Sequence, residues 1–203
     1  EFTMESNRLK TKDIITVVLL SLINIVIFMS GTFLYATPIT VLLMPIYYAL
    51  LEGMVVFTIG VKVRKRGAML IYCMIQGIVG FYLPYTLTYF LMGIISEIIL
   101  SKTGYDNIKG LTVSYILQQV GLCFGSTVYP YVFALKKTME MMSVKESANL
   151  KYVMTHAGSS IMNWGWIVLM IATAAIAFIG SLLGKRVVRK HIIKAEGACE
   201  DEN

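Results

Sequence analysis

Two histidines and one carboxylate inside an apolar run are the side chains of this sequence best equipped for acid–base or metal chemistry. His156 lies in a polar, Met-containing stretch and His191 in a basic tail. A shared metal or a catalytic dyad requires such groups to converge. The charge pattern set out below places the two on opposite sides of a membrane, so they share neither. The sequence contains no HExxH, no GxSxG and no paired acidic motif, and it lacks the GxxxxGK[ST] loop that cradles nucleotide phosphates. The expectation is a chain that is not an enzyme and holds neither metal nor resident cofactor.

The carboxylate is Glu52. An ionised acid within an apolar run is expensive in lipid and must face the bundle or a wet cavity. It is either a structural partner of Lys62 or a helix terminus, or a functional group. Glu97 reads as a structural partner for nearby cations. Asn24, Gln76, Gln118, Gln119 and Asn163 recur among apolar residues. Singly, each bridges helices at modest gain; together they describe a solvated interior. Tyr47, Tyr48, Tyr82, Tyr85, Tyr89, Tyr129, Tyr131, Trp164 and Trp166 serve singly as interface anchors and collectively as walls for a flat or apolar organic ligand. The substrate-binding candidates drawn from these sets are Tyr47, Gln118, Tyr129, His156 and Asn163. They fall in the outer half of the chain's membrane plan, beneath the segment Lys136–Gly158, the one outer stretch long enough to act as a lid.

Basic residues reveal the elements that must position these groups. Fourteen of the eighteen fall in four clusters separated by paired apolar runs. The clusters are Arg8, Lys10 and Lys12; Lys62, Arg64, Lys65 and Arg66; Lys102 and Lys109; and Lys185, Arg186, Arg189, Lys190 and Lys194. Lys136, Lys137, Lys145 and Lys151 stand apart from them. Positive loops stay cytoplasmic, so the pattern predicts an all-α integral membrane protein with six transmembrane helices and both termini cytoplasmic. Lys65 and Lys190 are then inside and Lys145 outside. A composition of 57% hydrophobic and 15% charged residues agrees with a lipid-solvated chain. The net charge of +6 flanks apolar spans, which excludes nucleic acid as its target and assigns the charge to topology at an anionic inner leaflet.

The predicted spans run from Ile14 to Tyr35, Ile39 to Val61, Ala68 to Leu83, Thr86 to Ser101, Leu111 to Leu135 and Ser159 to Leu183. The third and fourth are short, with Pro84 breaking the chain between them. Met139, Met142, Val144 and Met154 suggest an interfacial amphipathic helix between the last two spans. The plan makes 4–194 one domain, with residues 1–3 a cloning scar and 195–203 a flexible cytoplasmic tail, and no cleavable signal peptide is expected. Cys73, Cys123 and Cys199 read as free thiols. Small-residue seams occur at Gly121 and Gly125, at Thr173, Ala177 and Ser181, and at Gly180 and Gly184. They serve partner docking or internal packing equally well.

Three stretches carry a resemblance: TPITVLLMPIYYALLEGMVVFTIGVKVRKRGAMLIY, GIISEIILSKTGYDNIKG, and the ending GSLLGKRVVRKHIIKAEG. Across Lys10 to Lys194 the chain resembles the substrate-binding S-components of energy-coupling-factor importers, of the Trep_Strep-type group. The resemblance implies a prokaryotic cell-membrane protein that binds a micronutrient in an outward pocket. It also implies partners: a membrane coupling subunit and two cytoplasmic ATPases, which would supply ATP hydrolysis. Many S-components dock through an AxxxA seam on the first helix, where this chain offers only Ser21. Ala177, Gly180 and Ser181 are the other docking candidates. Haem or another tetrapyrrole suits the aromatic, Met-rich outer surface, with His156 an axial ligand or merely a loop residue beside a helix start. Met154 would be a second ligand or an apolar wall, and a smaller aromatic vitamin is the other solute considered. The competing reading is a structural or regulatory membrane protein that packs against a partner and carries no solute.

Overall fold

Backbone N–H and C=O groups find no water inside a bilayer, so a chain this apolar must close its hydrogen bonds within helices. A computed structural model describes residues 8–141 and 148–190, and every regular element among them is helical. Helix α1, Thr11–Ser30, continues into a tighter 3-10 stretch, Gly31–Ala36. Its first turn is tied down at Asp13, whose carboxylate accepts the Lys10 backbone N–H at 2.8 Å and Lys65 Nζ at 2.8 Å.

The second span departs from the continuous helix expected over Ile39–Val61. It consists of α2 (Pro38–Leu42), α3 (Met44–Leu51) and α4 (Gly53–Val63). Pro38 and Pro45 each sit in the first turn of a segment, where the missing N–H costs nothing. Pro45 cannot continue the preceding helix, so α2 ends at once. Gly67, at φ 95°, turns the chain out of the basic loop into α5 (Ala68–Val79).

The fourth span is also corrected. It is a full helix, α6 (Leu83–Thr103), because Pro84 occupies its first turn and begins the helix rather than breaking it. Helix α7 (Ile108–Cys123) starts at Asn107, whose side chain accepts the N–H groups of Lys109 and Gly110 at 2.9 and 3.3 Å. It runs on into a wider π-helical stretch, Phe124–Phe133, around Pro130. That proline has no N–H to give and crowds the preceding turn, so the helix widens instead of stopping.

Between the last two spans the chain forms α8 (Leu135–Met141) and α9 (Ala148–Ile161). Met139 is half-buried and Met154 buried, whereas Met142, Val144 and Lys145 lie outside the described residues. The sixth span does not begin at Ser159. Helix α9 carries that residue, a turn at 162–164 follows, and α10 runs over Gly165–Val188. His191, Lys194 and Cys199 also fall outside the described residues. Cys73 and Cys123 are buried free thiols.

Among the described residues, five stretches are long and apolar enough to cross a membrane: Thr11–Ala36, Met44–Val63, Leu83–Thr103, Ile108–Phe133 and Gly165–Val188. The apolar helix α5 is shorter. Large apolar side chains such as Val26, Ile39 and Val168 are more than 60% exposed on the outside of the bundle, where lipid rather than water is the fitting solvent.

Helix α10 packs on α3 and α4 through glycine. A Cβ at Gly180 would fall on the Ala49 carbonyl oxygen, one at Gly53 on the Gly180 carbonyl oxygen, and one at Gly184 would sit 2.5 Å from the Gly53 carbonyl oxygen. Ala177 and Ser181 are wholly buried along the same seam. Ser21 is buried as well: its hydroxyl donates to Val17 O at 2.8 Å, and its carbonyl accepts Gln76 Nε2 at 3.1 Å. The four docking candidates therefore face the interior of this chain. Gly121 and Gly125 likewise abut α6, at Met92 and Thr88.

Ion pairs gather the basic loops at one end. Arg64 reaches Asp106 at 3.5 Å, and Lys65 reaches Asp13 at 2.8 Å. Glu97 pairs with no cation among the described residues. Its carboxylate accepts the N–H groups of Met69 and Leu70 at the start of α5 (3.1 and 3.3 Å) and the Tyr105 hydroxyl at 3.0 Å. A helix N-terminus offers unpaired donors and partial positive charge, which suits a carboxylate as well as lysine does. Burial and the adjacent Glu97 charge push the Tyr105 hydroxyl up to about 12, so it remains a donor at physiological pH.

Candidate functional site

At the other end of the bundle the broken second span, the π-helical stretch and the α8–α9 segment enclose a cavity of about 580 Å³ including its mouth. Phe28 of α1 and Tyr35 of the 3-10 stretch form one wall, with Met44 and Tyr48 from α3. Gly80, Tyr82 and Tyr85 come from the α5–α6 corner, Leu122 from α7, and Ser126, Pro130 and Tyr131 from the π-helical stretch. Thr138 of α8 and Met154 of α9 close it. None of these described lining residues carries a charge.

The helix irregularities shape this space. The break before Pro45 turns Met44 and Tyr48 inward, and the wide turn around Pro130 brings both Ser126 and Tyr131 to the wall. Tyr48 stacks on Phe28 with ring centroids 5.3 Å apart and donates its hydroxyl to Phe28 O at 2.9 Å. Tyr82 Oη lies 3.0 Å from Thr138 Oγ1, a hydrogen bond that joins α8 to the α5–α6 corner across the mouth. Flat π faces, two thioethers and a few hydroxyls line the result. Such a surface can hold an apolar ring system and orient it by hydroxyl contacts.

Just beneath lies the one buried acid among the described residues. Glu52 Oε1 accepts Asn24 Nδ2 at 3.1 Å, and Oε2 accepts Gln119 Nε2 at 2.9 Å and the Tyr89 hydroxyl at 3.3 Å. Its partners thus come from α1, α7 and α6, and not from Lys62. Tyr89 in turn packs against Tyr85, centroids 5.0 Å apart, which connects the acid to the cavity wall.

The five residues named from sequence do not converge. Tyr47 is half-buried beside the cavity, its hydroxyl 2.8 Å from Ser30 Oγ and its ring edge-on to Phe33; the adjacent Tyr48 holds the wall. Gln118 is buried deeper in the bundle, donating to Ser96 Oγ at 2.9 Å. Tyr129 packs on Phe124, while Tyr131 lines the cavity. His156 is exposed, its ring tilted against Tyr152 with Nδ1 2.9 Å from Tyr152 O. Two residues on a helix are about 200° apart, so Met154 faces the cavity and His156 faces away. Asn163 is exposed in the α9–α10 turn.

Sequence reasoning missed Tyr35, Met44, Ser126 and Thr138 as wall residues. Two signals were available. Tyr48 with Glu52, and Tyr85 with Tyr89, are spaced four apart and share a helix face. Each pair links a cavity aromatic to the buried polar layer.

Helices throughout, an apolar exterior and a polar layer sealed within define an integral membrane protein with several spans. Residues 11–194 match a family model described as "Hypothetical bacterial integral membrane protein (Trep_Strep)", and the chain belongs to that family. No curated protein and no solved structure matches it.

Proposed function

We propose that this chain is the solute-binding membrane component of an energy-coupling-factor importer in a prokaryotic cytoplasmic membrane. The observation that carries the reading is the aromatic cavity at the end of the bundle opposite the basic loops, with α8 and α9 laid over it. With positive loops inside, that cavity faces outward, as capture of an external solute requires. The lining favours an uncharged, ring-bearing, vitamin-like molecule. A tetrapyrrole's carboxylates would meet no cation among the described wall residues, and burying them unpaired is costly. His156, on the far face of α9, does not reach a ring held there.

Transport energy would come from a coupling subunit and two ATPases, because the sequence offers no phosphate loop of its own. With Ser21, Ala177, Gly180 and Ser181 turned inward, docking would fall to the exposed apolar face of α1, at Leu19, Leu22, Ile23 and Val26. The expected result is no ATPase activity and no concentrative uptake by the chain alone, and uptake when all partners are co-expressed. Failure of the complete set to form a complex or to accumulate any compound would remove the importer reading.

Orientation has its own test. In a background without native cysteines, Lys190→Cys should be labelled by an impermeant maleimide only after the cells are opened. Lys137→Cys should be labelled from outside. Both positions are exposed, so the reverse pattern would invert the topology.

A further inference from the structure

Most hydroxyls on the cavity wall are already engaged. Tyr48 donates to Phe28 O at 2.9 Å, Ser126 donates to Leu122 O at 2.7 Å, and Tyr82 and Thr138 bond to each other at 3.0 Å. The Tyr85 hydroxyl is engaged with Tyr89. Two are left over. Tyr35 and Tyr131 both line the cavity, and among the described residues neither hydroxyl has a hydrogen-bond partner.

Neither of these hydroxyls is sealed in the packing, as the unpartnered Tyr72 hydroxyl is. Tyr131 is only 4% exposed as a residue, so the space its hydroxyl meets is the cavity. Tyr35 comes from the 3-10 stretch after α1 and Tyr131 from the π-helical stretch after α7. Tyr35 lies within electrostatic reach of Tyr131 and of Tyr48. A phenol without a partner in an apolar enclosure is an uncompensated polar group, and native folds keep few of those without a use. With no charge among the described lining residues, a solute's own charge would go unpaired there.

We infer that the Tyr35 and Tyr131 hydroxyls are the specificity-determining donors of the cavity, and that its solute is an uncharged flat ring system with a carbonyl on its edge. The aromatic walls would take the faces of such a ring, and the two hydroxyls would read its edge. Each phenol has one O–H to donate, and a carbonyl oxygen has two lone pairs to accept with. A hydrocarbon ring of the same shape would fill the space but strand both donors. Sites built around a hydrogen bond reject analogues that lack it more strongly than apolar pockets sort by size. The inference rests on the cavity being the solute site proposed above, and adds the edge chemistry that site selects.

The test uses the purified full chain in detergent at neutral pH, with coumarin and naphthalene as probes. Both are flat fused bicyclic rings of similar shape, and only coumarin carries a carbonyl on its edge. Coumarin should raise the unfolding temperature saturably. Tyr35→Phe and Tyr131→Phe should each weaken coumarin binding relative to naphthalene by at least about tenfold, equivalent to about 1.4 kcal/mol. Partition into micelles is the same for every variant and cancels from that ratio. Without a probe, both Phe variants should unfold at or above the wild-type temperature, because no bond within the protein is lost. Tyr48→Phe, which loses its bond to Phe28 O, should unfold lower. A coumarin-to-naphthalene ratio unchanged in both Phe variants would overturn the assignment and leave the cavity an apolar solute site. A lower probe-free unfolding temperature in either would also overturn it, by giving that hydroxyl a structural partner. Saturable binding of neither ring would go further and remove the cavity as a ring-binding site, taking the solute reading with it.

Discussion

Gly180→Leu is expected to eliminate the folded protein, leaving no monodisperse peak in detergent size-exclusion chromatography. A Cβ at this position falls on the Ala49 carbonyl oxygen, and that oxygen also accepts the Tyr115 hydroxyl at 2.7 Å. Gly53 and Gly184 make the reciprocal approaches, so backbone meets backbone along the whole seam. Overpacking a core costs roughly 1–3 kcal/mol when side chains can shift. Here no flexible side chain stands in the way to yield. Helix α10 must lift off α3 and α4, and the penalty should exceed about 3 kcal/mol, the upper end of that range. Gly180→Ala should be milder but still lower the unfolding temperature. A Leu variant that behaved like wild type would show that α10 is not seated on this seam.

Ser126→Phe is expected to abolish solute binding while leaving the fold in place. The residue lies on the cavity wall in the wide turns around Pro130, half-buried, with its hydroxyl donating to Leu122 O at 2.7 Å. That bond lies within one helix, and losing it costs only about 1 kcal/mol. The added ring projects into the space a ligand would need. Once a co-purifying solute has been identified, its affinity should fall by at least about 100-fold, equivalent to about 2.7 kcal/mol. The unfolding temperature should hold steady or rise as the void is filled. Unchanged affinity in a stable Ser126→Phe protein would move the binding site elsewhere.

Both predictions turn on features the sequence carried unequally. Long apolar runs and basic clusters announced a helical membrane protein, because membrane insertion depends on length and charge, which can be read one run at a time. The small-residue pattern at Ala177, Gly180 and Ser181 was equally visible. Which neighbour it met was not, since Gly53 lies over a hundred residues earlier and is adjacent only in the fold.

The prolines divided in the same way. Pro84 begins a helix, Pro45 divides a span and Pro130 widens one. Their local chemistry is alike, and the surrounding packing selects the outcome. Among the aromatics, composition pointed to rings gathered as walls, and several of them do line the cavity at one end of the bundle. It could not tell Tyr48 from Tyr47, or Tyr131 from Tyr129, because positions one or two apart on a helix differ by about 100° or 200° and these helices are irregular. His156 drew attention for its chemistry, yet the face of α9 that it occupies is set by Val153, Met154 and Ala157, all buried.

Helix α5 has a consequence for the surrounding lipid. Its twelve residues span about 18 Å, against roughly 30 Å of hydrocarbon. Its partner α6 is nearly twice as long, and Phe81, at the corner between them, is 91% exposed. On this flank the acyl chains must compress, or the whole molecule must lean until the short helix and its corner are covered. Either response carries an elastic cost that grows with each ångström of mismatch. Membrane thickness thereby acts on this protein as a mechanical load applied from one side, and a thicker bilayer favours whatever posture relieves it.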